Sequence, residues 1–420
     1  MGILLVLLAI VAVMLFMRQS IAMVLLVGLA YLQFFHGDGQ LSYIAEDIWN
    51  AIDSEILLPI PLFILCGGVM THGSVAAKLI EIIRVITAPL PGGLAVAAIL
   101  SCAVFAAISG SSPVTMLAVG AIMYPAMLKE GYSQSFSLGA LTSAGTLGIV
   151  IPPSIPMILY GISTETSITD MFVAGVLPGI LLTVVLATYA LVVNRHLIGH
   201  WWVWADIKRA FRQGFLAMMM PIILLGGIFS GYFTATESAA VALFYAAFVE
   251  AFIYREMSFA DFRTVALKTT MLLGTLFPVL ALALGLNKYL VAEGLPDLLA
   301  QWLTTHIETR GEFLVGFNLL LLVIGCFMDA GSAILILAPI LKTIGDTYGL
   351  DPVHIGVVMV MNLEIGFLTP PMGLNLIVAM TAFGVSFGNV VRSVIPFMVL
   401  IVAVLLAVTW IPWLSLVLVR

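Results

Sequence analysis

The sequence contains very little charge. Asp, Glu, Lys and Arg together make up 9% of its 420 residues, whereas a soluble globular chain carries about 25%. Hydrophobic residues make up 62% of the chain, far more than a protein in water can bury or cover with polar groups. The scarcity of charge therefore excludes a soluble domain and predicts a chain embedded in a lipid bilayer.

Two long stretches have no charged residue at all. Residues 85–128 and 131–164 lack Asp, Glu, Lys and Arg. A membrane-spanning helix needs roughly 20 apolar residues, so counting such stretches predicts an all-α integral membrane protein with about ten to twelve transmembrane helices. The hydrophobic stretch before Arg18 has no basic segment ahead of it, and we interpret it as the first span rather than a signal peptide.

Motifs of enzyme chemistry are also missing. The chain has no Gly-x-x-x-x-Gly-Lys-Ser/Thr sequence, so it does not hydrolyse ATP through a P-loop. Its three cysteines, Cys66, Cys102 and Cys326, lie in apolar stretches, where we expect buried side chains. His196 and His200 are four residues apart, but no cysteine or carboxylate stands nearby. We therefore expect neither an enzyme nor a metal site at these histidines.

Positive charge indicates the orientation of the chain. Four basic residues lie in the segment 195–212, and Arg255, Arg263 and Lys268 follow. Lys and Arg are enriched on the cytoplasmic side of membranes. The roughly 40 residues between the clusters suffice for two spans, so both clusters are placed in the cytoplasm. The tryptophan-bearing stretch 201–215 is interpreted as a helix at the membrane interface.

The sequence repeats itself at a fixed distance. Pro152 and Pro153 align without gaps with Pro370 and Pro371, 218 residues later in each case (370 minus 152). A repeat of this kind decides the architecture. The flanking basic residues place matching loops of the two copies on opposite sides of the membrane, so we predict inverted repeats, as in many secondary transporters.

We expect a single polytopic membrane domain, 1–420. The expected segments are, in chain order, a first inverted repeat at 51–195 with a re-entrant hairpin at 94–128 and a broken helix at 135–163, a scaffold helix pair at 214–255, and a second repeat at 264–417 with a hairpin at 313–342 and a broken helix at 354–382.

The two Pro-Pro pairs interrupt helices in the middle of apolar spans. Proline lacks an N–H and clashes with the carbonyl one turn back, so backbone groups are freed that hydrocarbon cannot satisfy. A lone proline would favour a simple kink, but two equivalent pairs favour true breaks. The freed carbonyls can bind Na⁺, and the N-termini of the half-helices can bind an anion.

A second polar interruption lies at residues 108–115, ISGSSPVT. The apolar arms on either side are about 15 residues long and span about 24 Å, less than a hydrocarbon core of about 30 Å. This favours a re-entrant hairpin with its tip in the membrane. Two short spans with a polar turn, or a small-residue packing face, are the alternatives. The equivalent tip, 325–333, carries Asp329, an intramembrane carboxylate.

Both tips and both breaks are rich in oxygen atoms, which hard cations prefer as ligands. The candidate side chains are Ser109, Ser111, Ser112, Thr115 and Thr146 in the first half and Asp329, Ser332, Thr369 and Asn375 in the second. Glu364 lies one turn before the second break. It is a candidate for a cation ligand, a proton carrier or an acceptor that pins a helix.

Several of these strings resemble one known family. ISGSSPVTMLAVGAIMYPAM, GTLGIVIPPSIPMILYGI and NLEIGFLTPPMGLNL are similar to the large membrane subunit of tripartite ATP-independent periplasmic (TRAP) transporters, and the resemblance covers nearly the whole chain. It implies a Na⁺-coupled importer of organic acids in the bacterial inner membrane, of the C4-dicarboxylate, sugar-acid or sialic-acid type, that works as an elevator.

The resemblance also implies partners. They are a small four-helix membrane subunit and a periplasmic substrate-binding protein, with Na⁺ as the transported coupling ion. No organic cofactor and no nucleic acid are expected. The alternative is a stand-alone Na⁺/dicarboxylate symporter of related repeat plan. A membrane enzyme acting on lipid-linked substrates would need clustered acids or histidines in its loops, which the short loops here lack.

The resemblance places a sodium site wherever a hairpin tip faces its broken helix. The residues expected at these sites are Ser109, Gly110, Ser112, Gly145, Gly148, Gly325, Asp329, Gly331, Gly366 and Thr369. The residues expected to contact the substrate are Ser111, Ser112, Pro152, Pro153, Ser154, Pro370, Pro371 and Asn375.

Overall fold

The computed structural model describes residues 19–35, 42–53, 55–294 and 305–419, together with eight isolated residues near the N-terminus and around position 300. Within these residues every regular element is a helix, which confirms the predicted all-α fold class. The predicted first span, before Arg18, lies outside the described residues except for isolated positions.

The described helices are numbered α1 to α19 in chain order. Their bounds are α1 Ile21–Phe35, α2 Ser42–Ile52, α3 Pro59–His72, α4 Val75–Thr87, α5 Gly93–Ser109, α6 Ser112–Lys129, α7 Gln134–Ala144, α8 Leu147–Val150, α9 Ile155–Thr164, α10 Ile168–Val193, α11 Trp204–Phe229, α12 Ala235–Phe248, α13 Phe259–Ala292, α14 Arg310–Gly325, α15 Ala330–Thr347, α16 Pro352–Gly366, α17 Leu374–Phe383, α18 Phe387–Trp410 and α19 Trp413–Leu416. A 3₁₀ turn, Glu55–Leu57, precedes α3, and a π-helix, Val249–Tyr254, continues α12.

Seven segments of the described chain are long and apolar enough to cross a membrane, and an eighth is counted if α3 and α4, which meet at a bend of 68°, form one span. Four further apolar helices, α1, α5, α16 and α17, have only 10–17 residues. A helix of 17 residues reaches about 25 Å, less than the hydrocarbon core. Within the described residues, the full-length segments number seven or eight, and the other apolar segments form shorter helices.

Local sequence explains why α5 and α6 end where they meet. Gly110 follows α5 with a φ of 57°, in the left-handed region, which glycine adopts without a steric cost. Ser111 is extended and turns the chain into α6. Pro113 lies in the first turn of α6, where its missing N–H has no partner to lose.

The Pro-Pro pairs lie between helices, not inside them. Pro152–Pro153 separates α8 from α9, and Pro370–Pro371 separates α16 from α17; both Pro-Pro bonds are cis. After the first pair, the hydroxyl of Ser154 accepts a hydrogen bond of 3.3 Å from the first turn of α9. This is an N-cap, which satisfies one of the free N–H groups of a new helix.

Helix α16 lies at the centre of the bundle. All of its residues from Val353 to Gly366 are buried, as expected for a helix that is apolar on every side. Its few polar side chains need partners within the protein. Asn362 donates a hydrogen bond of 2.6 Å to Asn318 on α14, whose side-chain oxygen also faces the hydroxyl of Thr409 on α18 at 3.4 Å.

The interfacial helix expected at 201–215 is not a separate element. Residues from Trp204 onward form the start of α11, which continues unbroken to Phe229. Its 26 residues reach about 39 Å, longer than the hydrocarbon core, so one end extends beyond it. Trp201 and Trp202 precede the helix and are exposed, as suits side chains at headgroup depth.

Two glycines let α14 and α16 touch at their C-terminal ends. A Cβ atom on Gly366 would overlap the backbone of Gly325, and one on Gly325 would lie 3.2 Å from the Cα of Gly366. Such close approach of helix backbones is a common way to pack helices in membranes. Here it joins the second hairpin to the second broken helix.

We predict that Gly366→Ala destabilises the fold by about 1–3 kcal/mol, because the added methyl group overpacks this contact. The measurement is thermal unfolding of the purified protein in detergent. Gly388→Ala on α18 is the control, since a Cβ atom there has no neighbour within 4 Å. Equal melting temperatures for the two variants would show that the α14–α16 contact is not tight.

Candidate functional site

The first hairpin tip packs directly against the first break. The carbonyl of Gly110 accepts a hydrogen bond of 3.3 Å from the backbone N–H of Ile155. A Cβ on Gly148 would lie 2.5 Å from the carbonyl oxygen of Ser111, and one on Gly110 would lie 3.1 Å from that of Pro153. The tip and the break thus share a backbone contact that only glycines permit.

Oxygen atoms converge within this tip. The hydroxyl of Ser109 lies 2.6 Å from that of Thr115 and 3.3 Å from the carbonyl oxygen of Ser111. Ser109 and Thr115 are buried. Neutral oxygens of this kind, gathered without a carboxylate, suit a weakly bound hard cation. Gly145 stands farther back, against Met116 of α6, and so helps to pack the hairpin.

Two helices begin at the same place. α6 starts at Ser112 and α9 starts at Ile155, on either side of the contact between tip and break. The N-terminus of a helix carries a partial positive charge and free N–H groups. The first tip therefore combines carbonyl and hydroxyl oxygens, which attract cations, with two helix ends, which attract anions.

The second tip makes different contacts. Asp329 caps α15: its two oxygens accept hydrogen bonds from the backbone N–H of Ser332 at 2.9 Å and from the Ser332 hydroxyl at 2.7 Å. A Cβ on Gly331 would lie 3.1 Å from the same carboxylate. The hydroxyl of Thr369 donates to the carbonyl of Ile365 at 2.8 Å. These expected ligands are thus engaged with their own helices.

The two tip-and-break pairs differ in exposure. Pro152, Pro153 and Ser154 of the first break are buried, whereas Pro370 and Pro371 of the second are exposed. The repeat in the sequence predicts two equivalent breaks. Their difference arises because the first pair is enclosed on other sides as well: a Cβ on Gly67 of α3, for example, would lie 3.1 Å from the Cα of Ser109.

A buried polar cluster joins the two halves of the chain. The hydroxyl of Ser112 donates to Glu364 Oε1 at 3.0 Å and accepts from Asn375 Nδ2 at 2.6 Å. All three side chains have no exposed surface. Ser112 begins α6 in the first hairpin, whereas Glu364 and Asn375 flank the second break. The first tip therefore contacts both breaks.

This cluster has unused acceptor atoms. In the described part of the chain, Glu364 Oε2 and Asn375 Oδ1 have no hydrogen-bond donor. Glu250, also fully buried, differs: its oxygens accept from the Val75 N–H at 2.7 Å and from the Ser74 hydroxyl at 3.2 Å. Buried acceptors without donors are rare in proteins. A proton or a cation is the group that would satisfy them.

Glu364 acts as a hydrogen-bond acceptor in this geometry, which is one of the three roles expected for it. The roles of cation ligand and proton carrier stay open, because Oε2 has no donor among the described residues. The hydrogen bond between Asn375 and Ser112 was not predicted from the sequence. The 218-residue offset matches each break with its counterpart in the other half. Matching positions of two repeats need not touch, so the offset carries no signal for this contact. No group of three or more His, Cys, Asp or Glu lies close enough to hold a metal ion among the described residues.

We predict that Ser112→Ala destabilises the protein by about 1–3 kcal/mol, because it leaves Glu364 and Asn375 as buried polar groups without their shared partner. The measurement is chemical or thermal unfolding in detergent. Ser101→Ala is the matched control: its hydroxyl is buried on α5 and has no hydrogen-bond partner in the described structure. A Ser112→Ala variant as stable as this control would contradict the role assigned to the cluster.

Comparison with known proteins extends over almost the whole chain. Residues 8–414 match the family described as "Tripartite ATP-independent periplasmic transporter, DctM component". The chain is 40% identical over 382 residues to the C4-dicarboxylate TRAP transporter large permease protein DctM of Pseudomonas aeruginosa, covering 89% of this chain and 88% of that one. It is 35% identical over 416 residues to the isethionate TRAP transporter permease protein DctMQ of Oleidesulfovibrio alaskensis, covering 95% of this chain and 64% of that one.

A solved structure shares the fold. The Alcanivorax borkumensis YdaH transporter, whose crystal structure is described as having an unusual topology, matches with a TM-score of 0.68 at 14% identity, and the match covers 90% of each chain. At this identity the likeness concerns the arrangement of helices alone.

Proposed function

The chain belongs to the DctM component family of tripartite ATP-independent periplasmic transporters, and from this premise we propose that it is the large permease subunit of a Na⁺-coupled importer of organic acids. The resemblance drawn from the Pro-Pro and serine motifs is confirmed by the match over residues 8–414. The protein is a multi-pass protein of the inner membrane. Its coupling ion, its substrate and its mode of movement are the proposal.

The observation that carries the coupling proposal is the oxygen cluster at the first tip. The Ser109 hydroxyl lies 2.6 Å from the Thr115 hydroxyl and 3.3 Å from the Ser111 carbonyl oxygen, next to a break that cannot form regular helix hydrogen bonds. Na⁺ is the physiological cation that such neutral oxygens bind weakly enough to release. Moving one charge through 100 mV yields about 2.3 kcal/mol, so coupled ions can drive accumulation.

The substrate position that we propose lies at the first tip, beside this oxygen cluster and in the cavity that Ser109 and Ser111 line. Ser112 of the same tip contacts Glu364 and Asn375, which flank the second break. A substrate held there is next to helix N-termini that favour its carboxylate. Movement as an elevator is supported by α13, which passes both tips: Leu272 lines a cavity beside the first, and Leu276 lies next to Gly331 at the second.

The partners that we propose are a small four-helix membrane subunit and a periplasmic substrate-binding protein. The support is the name of the family, which describes a transporter in three parts. The DctMQ relative, of which this chain spans 64%, supports a second membrane component. Among organic acids we propose a C4-dicarboxylate first, because the relative at 40% identity carries that name; sugar acids and sialic acids follow.

We predict Na⁺-dependent uptake of succinate by liposomes that contain the chain and its small subunit, with the binding protein outside. Uptake is expected to require an inward Na⁺ gradient and to be unaffected by a pH gradient alone. Uptake driven by pH without Na⁺ would overturn the coupling proposal. Full uptake in the absence of the binding protein would favour the stand-alone symporter instead.

We predict that Ser109→Ala raises the Na⁺ concentration for half-maximal uptake about tenfold, since losing one oxygen ligand at 1–2 kcal/mol corresponds to roughly that factor. Ser101→Ala, two turns earlier on α5, is expected to leave Na⁺ dependence unchanged, because its hydroxyl lies outside the cluster. An unchanged Na⁺ half-saturation in Ser109→Ala would remove this hydroxyl from the site.

A further inference from the structure

A cavity of about 360 Å³ lies beside the first tip. Ser109 and Ser111 of the tip and Ile155 of α9 line one part of it, and residues of α3, α6 and α13 line the rest. Its volume falls within the range of about 300–1,000 Å³ that is typical of small-molecule sites. Most of its other lining residues are apolar or small.

One lysine of α13 faces this cavity. Val265, Lys268, Thr269 and Leu272 all line it, and their spacing of i, i+3, i+4 and i+7 places them on one face of the helix. The positive charges of the sequence place Lys268 in the cytoplasmic basic cluster. Helix α13 begins at Phe259, so Lys268 lies about 14 Å along the helix, where its exposed side chain lines the cavity.

The cavity offers Lys268 no negative charge. No aspartate or glutamate is among the described residues that line it, and Lys268 makes no ion pair in the described part of the chain. The other titratable lining residue, His72, is held by Asp261 at 3.2 Å, a carboxylate that also accepts from the backbone of Ser258 at 2.9 Å. The ammonium group of Lys268 is therefore available to an anion that enters the cavity.

The first tip also presents groups that favour anions. Ser111 precedes the first residue of α6, and Ile155 is the first residue of α9, and both line the cavity. The cavity therefore has helix N-termini at the tip and an ammonium group on α13, both of which favour anions. A molecule with two acidic groups can contact both.

We propose that Lys268 binds a carboxylate of the transported substrate and makes the permease itself select dianionic acids, the second carboxylate lying at the helix N-termini of the first tip. This inference rests on the proposed function. It names a specificity-determining residue on α13, outside the tips and breaks.

The test measures binding of succinate to the purified permease in detergent with Na⁺, by isothermal titration, and uptake in liposomes with both partners. Lys268→Met is expected to weaken succinate binding at least tenfold and to raise the half-saturating concentration in uptake. Lys268→Arg, which keeps the charge, is expected to stay within threefold of the wild type. Lys208→Met, an exposed lysine near the start of α11, is the control and is expected to change neither quantity.

A second ligand separates charge recognition from a structural role. Monomethyl succinate keeps the size of succinate but has one carboxylate, and its binding is expected to fall much less in Lys268→Met than that of succinate. Equal losses for both ligands, or unchanged succinate binding, would overturn the proposal. Where Lys268→Met does not fold, Lys268→Gln carries the same expectation.

Failure of the underlying function has a different signature. If the wild-type transporter neither binds nor imports succinate or another dicarboxylate, the proposed substrate class is wrong, and the role of Lys268 falls with it. If the wild type imports succinate with Na⁺ and Lys268→Met does so equally well, the proposed function stands and the role of Lys268 is refuted.

Discussion

Hydrocarbon offers no hydrogen-bond partners, so every backbone polar group within a membrane must be satisfied by the protein itself. This constraint governs the structure. Two Pro-Pro pairs interrupt helices of apolar segments, and the first pair is buried, so its freed backbone groups need partners supplied by the protein. The first break finds them in the first hairpin, where Gly110 accepts from Ile155 and Ser154 caps α9. The hairpin tip is also an interruption between two helices, and its backbone groups need hydrogen-bond partners as well. Each interruption supplies partners to the other, and the result is a concentration of oxygens and helix ends where the tip meets the break.

The same constraint explains why the site joins the two halves. Ser112 opens the second arm of the first hairpin, and its hydroxyl is shared between Glu364 and Asn375 from the other half. A fully buried carboxylate is costly unless its charge is neutralised or hydrogen-bonded. The free Oε2 of Glu364 makes this cluster sensitive to whatever proton or cation occupies it. A substrate or ion bound at the first tip is therefore one hydrogen bond from the second break.

The two repeats are not equivalent in their surroundings. Asp329 and Thr369 satisfy hydrogen bonds within their own helices, and the second Pro-Pro pair is exposed. The first tip faces a cavity whose wall carries Lys268. The two repeats therefore differ because each packs against different neighbours. Helix α13 passes both tips: Leu272 lines the cavity beside the first, and Leu276 lies next to Gly331 at the second.

The sequence alone determined the class of protein and the helical fold, because these depend on local composition such as apolar length. Its motifs carried the resemblance to the family, and its proline pairs marked where helices are interrupted. Tertiary structure decided which of these residues act together. The 218-residue offset links Pro152 to Pro370 but says nothing of Ser112 meeting Glu364, since contacts between halves depend on how the helices pack. Likewise Lys268 belongs to a basic cluster along the chain, and only the path of α13 beside the first tip turns it into part of a cavity.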